Sequence, residues 1–159
     1  MYRGDELKRL EKKLLNLAIG EFAALCTFIL VYRSLKLGMA TLVAFSYLLF
    51  ILLQGSLYWL YRYRLLIIAK SVDLKVIKLF RSLKYLNMIL SVILGMMIPV
   101  VKSGDMDFIV AAFVLLFGII EYINYYWYRL SYGKSGFNIK ILSDTKCKRS
   151  SISKMISKL

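Results

Sequence analysis

Four long apolar runs, separated by segments that are alternately rich and poor in basic residues, constrain this chain more than any other feature. Residues 14–32 carry one charge, Glu21. Residues 37–61 and 85–101 carry none, and residues 108–128 carry only Glu121. A hydrocarbon core is about 30 Å thick and a helix rises about 1.5 Å per residue. Each run therefore reaches, or nearly reaches, across a bilayer. Backbone polar groups in hydrocarbon must be satisfied within the segment, which makes these runs helices. The expected fold is an all-α membrane protein of four transmembrane helices, with spans at about 14–32, 38–61, 85–101 and 108–128. A basic lead-in, residues 1–13, precedes them, and a basic tail, residues 133–159, follows.

The charge distribution predicts orientation. The 159 residues hold 23 Lys and Arg against 9 Asp and Glu. The lead-in, the stretch 62–84 and residues 129–159 together hold 20 of the basic residues. The two intervening loops hold Arg33, Lys36 and Lys102. The positive-inside rule then puts both termini and the middle stretch in the cytoplasm, as in a multi-pass protein of a bacterial-type inner membrane. The same asymmetry accounts for the net charge of +14 without a nucleic-acid partner. Anionic lipids of the inner leaflet are the expected partner of Lys75, Lys78, Arg81, Arg62 and Arg129. Within residues 70–84, Val72, Val76, Leu79, Phe80 and Leu83 recur at helical spacing. This predicts a basic amphipathic helix at the inner interface. Residues 150–159 carry a similar pattern with Ile152, Met155 and Ile156 on one face, readable as a short surface helix or as a disordered tail.

An offset of 67 residues aligns residues 39–62 with 106–129 without a gap. Gln54-x3-Tyr58-x2-Tyr61-Arg62 then falls on Glu121-x3-Tyr125-x2-Tyr128-Arg129. The match suggests two helical hairpins related as a parallel repeat. Shared interfacial aromatics and a basic stop are the alternative source of the match.

No His is present, no paired-Cys metal site occurs, and no glycine-rich phosphate loop occurs. Neither an enzyme nor a bound cofactor or metal is expected. Gly20-xxx-Ala24 and Ser91-xxx-Gly95 are small-xxx-small patterns that predict close helix packing. Pro99 is expected to kink or end the third span.

Polar residues inside the spans are the candidate site. Glu21 lies eight residues after Lys13, Gln54 eight before Arg62, and Glu121 eight before Arg129. At helical rise all three sit at one depth, about 12 Å in from the basic boundary. Asn124 shares the face of Glu121, and Tyr58 and Tyr125 extend the faces of Gln54 and Glu121. Asn87 is expected nearer the surface. Ionisable residues at such depth are costly and mark function by default. The outer half offers only Thr27, Thr41 and Ser46, too few to line an ion path. The pattern predicts a pocket closed outside and open inside, with a tyrosine rim, a carboxylate floor and a basic collar. It suits an amphiphilic or cationic ligand, or a partner's polar helix, in a self-associating protein or a subunit of a membrane complex. Two other functions fit the same residues: a small proton- or cation-coupled transporter using Glu21 and Glu121, and a holin-type permeabilising effector. The layer also has a purely architectural reading, in which its members hydrogen-bond one another and set helix register.

Overall fold

The computed structural model describes residues 2–35, 38–130 and 148–157, and among them the regular secondary structure is helical save for one isolated bridge. The elements are α1 (Tyr2–Leu35), α2 (Met39–Ile68), α3 (Leu74–Val101), α4 (Asp105–Tyr126) and α5 (Ser151–Ile156). The first four are long and apolar enough to cross a membrane. Gly133, Ser135 and Gly136, residue types that predict a break after the fourth helix, lie outside the described residues, as does Cys147.

α1, α2 and α3 run past their apolar runs at the basic end. The lead-in is continuous with the first span in α1, and residues 74–84 are the first turns of α3 rather than a separate interfacial helix. Asp73 caps α3, its carboxylate accepting from Lys75 N at 2.9 Å. Pro99 neither ends α3 nor stands at its end, since two further residues remain helical. α4 stops at Tyr126, short of the basic-side end of its apolar run at Tyr128. The backbone N–H groups of both Trp127 and Tyr128 donate to Ile123 O, at 2.9 and 3.0 Å, and the helix closes there. Tyr128 then pairs antiparallel with Arg149. At the end of α2, Ala69 takes a left-handed conformation (φ 51°, ψ 34°), and Lys70 N donates back to Leu65 O at 3.2 Å. This is the Schellman arrangement, with alanine where glycine would be unstrained.

α2 is the centre of the bundle. Three successive residues, each turned about 100° from the last, address three different helices. The Gln54 side chain meets Asn87 of α3, Gly55 backs onto Tyr125 of α4, and Ser56 Oγ donates to Ala18 O of α1 at 3.3 Å. A Cβ on Gly55 would stand 2.7 Å from Tyr125 Cζ, so the ring fits only because the side chain is missing. Gly118 of α4 gives Tyr47 similar room. The small residues that permit close approach are thus Gly55 and Gly118. Gly20 and Gly95 of the predicted packing motifs have no neighbour for a Cβ within 4 Å. α1 and α3 turn large apolar side chains outward, among them Phe22, Met96 and Val100, as a hydrocarbon surround allows.

At the end opposite the basic one, α2 and α4 begin side by side, and one carboxylate serves both. Asp107, 5% exposed, accepts from Thr41 N at 3.0 Å, Thr41 Oγ1 at 2.6 Å and Ala40 N at 3.3 Å at the start of α2. It also accepts from Ser103 N at 3.0 Å, just ahead of α4. Gly38, the residue that opens α2, has no side chain to cap with, and one there would collide with Ser103. The carboxylate from the neighbouring helix takes that role, placing negative charge at the positive end of the α2 dipole.

Candidate functional site: a cavity at the basic end

The polar residues singled out from the sequence do not share one environment. Gln54 joins a sealed network, Glu21, Tyr58, Asn124 and Tyr125 line a cavity, and Glu121 belongs to neither.

The sealed network joins α2, α3 and α4. Asn87 Nδ2 donates to Gln54 Oε1 at 2.8 Å, and Gln54 Nε2 returns a bond to Asn87 Oδ1 at 3.3 Å. Tyr126 OH donates to the same Gln54 oxygen at 2.5 Å, while Tyr47 OH donates to Asn87 O at 3.3 Å. Gln54, Asn87 and Tyr126 are all buried, and no buried side-chain polar atom among the described residues lacks a partner. For Gln54 the architectural reading therefore fits the geometry. Counting inward from Lys84 puts Asn87 near the interface, whereas its pairing with Gln54 sets the two side chains at one level of the bundle. At Lys84 α3 packs on the end of α4: the Lys84 carbonyl accepts from Tyr122 OH at 3.1 Å, and its ammonium lies 3.6 Å from the centre of the Trp127 ring. Long basic side chains carry their charge away from their own Cα, so an apolar run need not begin where the interface does.

The cavity, about 480 Å³, lies between α1, α2, the end of α4 and the start of α5. Glu21, Tyr58, Tyr125, Asn124, Arg62 and Arg129 all line it. Of the predicted residues, Gln54 and Glu121 stay out of its wall. Glu21 accepts a hydrogen bond from Tyr125 OH, which ties α1 to α4. Glu121 accepts from Asn124 Nδ2 at 3.2 Å and lies within electrostatic reach of Glu21. Leu10, Leu14, Leu17 and Trp59 give the cavity apolar walls, and Lys13, Lys148, Arg149 and Lys154 add to its basic collar.

Sequence reasoning missed the part played by the tail. Ser150 caps α5, accepting from Ser153 N at 3.0 Å, and its hydroxyl donates to Tyr125 O. Ser151 Oγ and Tyr58 OH are 2.6 Å apart. Ile152 and Met155 are both buried in the core with Tyr58 and Phe80. Residues 148–154 of the tail thus lie under the two tyrosines and form one wall of the cavity. The available signal was the Ser150 cap directly ahead of the Ile152, Met155, Ile156 face.

Lys75 and Lys78 stand exposed on the first turns of α3, and Arg81 reaches across to donate to Ile156 O at 3.3 Å. Among the described residues no cluster of three or more His, Cys, Asp or Glu could hold a metal ion. No family model, curated protein or solved structure matches the chain.

Proposed function

We propose that this is a multi-pass protein of a bacterial-type cytoplasmic membrane, with its basic end inside, and that the cavity at that end binds an amphiphile with an anionic headgroup. The observation that carries this reading is the ordering of chemistry along the cavity. Leucines of α1 and Trp59 supply an apolar wall, Lys13 and Arg62 stand one on each of two facing helices, and the Glu21–Tyr125 pair lies deeper. Such a wall takes an acyl chain, and the collar takes a phosphate or carboxylate head. The opposite end supports access from one side only, because the start of α2 and α4 is tied together through Asp107. A transporter using Glu21 and Glu121 needs access from both faces in turn.

Orientation has its own test. A cysteine introduced at Ser103 should react with an impermeant thiol reagent in intact cells, and Cys147 only after the membrane is opened. The opposite pattern would reverse the topology. The 67-residue repeat belongs to the same proposal. Its support is the aligned sequence and the side-by-side, parallel course of α2 and α4. The surroundings of Gln54 and Glu121 have diverged, the first sealed and the second half exposed.

Binding can be read from Trp59, which lines the cavity, in a Trp127→Phe variant reconstituted in zwitterionic nanodiscs. Brominated-chain phosphatidylglycerol should quench Trp59 saturably and at lower mole fraction than brominated phosphatidylcholine. Lys13→Gln with Arg62→Gln should abolish that preference. Equal quenching by the two lipids would show ordinary bilayer contact and remove the proposal. Proton-driven flux lost in Glu21→Gln would move the assignment to transport.

A further inference from the structure

A second cavity, about 540 Å³, lies on the other side of α5, bounded by α3 and the segment just past α4. Its construction differs from the first. Arg81 and Lys84 are three residues apart on α3 and so share a face. Arg149 enters from the segment that pairs with Tyr128. These three cations line one cavity, and no acidic residue does so among the described residues. The rest of the wall includes Tyr85, Trp127 and Tyr128, together with the serines of α5.

This arrangement stands at the closure of α4. Trp127 N still makes the helical bond to Ile123 O, and Tyr128 N, bonded to the same oxygen, leaves the helical path. The Trp127 indole lies beneath the Lys84 ammonium of α3. Arg81 reaches the last turn of α5 and keeps further guanidinium donors beyond the one given to Ile156 O. A π face accepts charge but offers no lone pair, so Lys84 can exchange it for an anionic oxygen without breaking a protein hydrogen bond. Like charges gathered in one cavity repel, and an anion with several oxygens relieves that repulsion.

We propose that this cavity is a phosphate-group site in which Arg81, Lys84 and Arg149 bind the anion and Lys84 leaves the Trp127 ring to do so. The phosphate could be that of an inner-leaflet lipid or a free ion, since both present the same oxygens. The inference does not depend on the amphiphile cavity. The chain's two tryptophans separate the two sites, because Trp59 lines only the first cavity and Trp127 only the second.

The test uses the full chain carrying Trp59→Phe, in detergent micelles, with ionic strength held constant by sodium chloride. Inorganic phosphate and dihexanoyl phosphatidic acid are titrated separately while Trp127 emission is followed. Saturable change with at least one is expected. A response to phosphatidic acid alone assigns a lipid source, and a response to both assigns the phosphate group itself. Arg81→Gln and Lys84→Met should each weaken the response at least about tenfold. Their thermal unfolding should stay at that of the parent, as a check that α5 remains docked. No change with either titrant would overturn the proposal. So would an undiminished response in Lys84→Met.

Discussion

Asp107→Ala is expected to lower the stability of the protein in detergent by about 3 kcal/mol, a large effect for a residue at a helix end. The carboxylate accepts from three backbone N–H groups and one hydroxyl, and these belong to the starts of two helices. Removing it orphans donors that have no intrahelical partner. Gly38 cannot replace it, having no side chain. Asp107→Asn keeps one acceptor oxygen and loses the charge, so its loss should be roughly half as large. Asp105→Ala is the control. Its ion pair with Lys102, at 3.2 Å, is exposed, and such pairs contribute little. Thermal unfolding of the three variants checks the ordering. If Asp107→Ala falls no further than Asp105→Ala, the two helix starts are not held together by this group.

Gln54→Leu is expected to cost a similar amount, about 3 kcal/mol, for a different reason. The bonds themselves are modest, since interhelical hydrogen bonds in membranes average under about 1 kcal/mol. The larger cost is the orphaning of Asn87 and Tyr126, both buried and both bonded to the same glutamine oxygen. That asymmetry predicts non-additivity. Asn87→Leu alone should also destabilise, yet the double variant should be less damaging than the two singles summed, by about 1–2 kcal/mol. Replacing both partners with apolar groups removes the unsatisfied amides along with the bonds. Denaturation of the four proteins in the cycle measures the coupling. Strict additivity would mean that the pair does not communicate and that the cost is only one of shape.

Glu21 and Tyr58 show how far sequence reading reaches into the site. Their depth, and their place with Tyr125, Asn124, Arg62 and Arg129 at the basic end, follow from counting residues inward from the charged boundaries. All six line one cavity. Gln54 sits at the same counted depth and yet belongs to a different network. The difference is one of azimuth: Gln54 turns to α3, and the next two residues turn to α4 and α1. Nothing local to α2 distinguishes those directions, because apolar residues occupy the whole circumference of this helix. Asn87 was misplaced for a related reason. Its depth depends on how α3 is shifted along its neighbours, and a basic side chain that reaches back over Trp127 conceals that shift.

The sequence by itself determined the four long apolar helices and the charge asymmetry between their ends. The first follows from transfer free energy summed over consecutive residues and the second from the placement of Lys and Arg between the runs, and both are local in the chain. The tertiary structure alone decided that α2 is enclosed by its neighbours, that Asp107 caps a helix other than its own, and that the tail returns beneath Tyr58 and Tyr125. These are contacts between residues far apart in sequence, such as Ser151 with Tyr58. They depend on the rotation and axial offset of whole helices. Hydropathy is blind to both, because a lipid-facing leucine and a helix-facing leucine contribute to it equally. Only the close approach at Gly55 and Gly118 and the pairing of buried polar groups distinguish them.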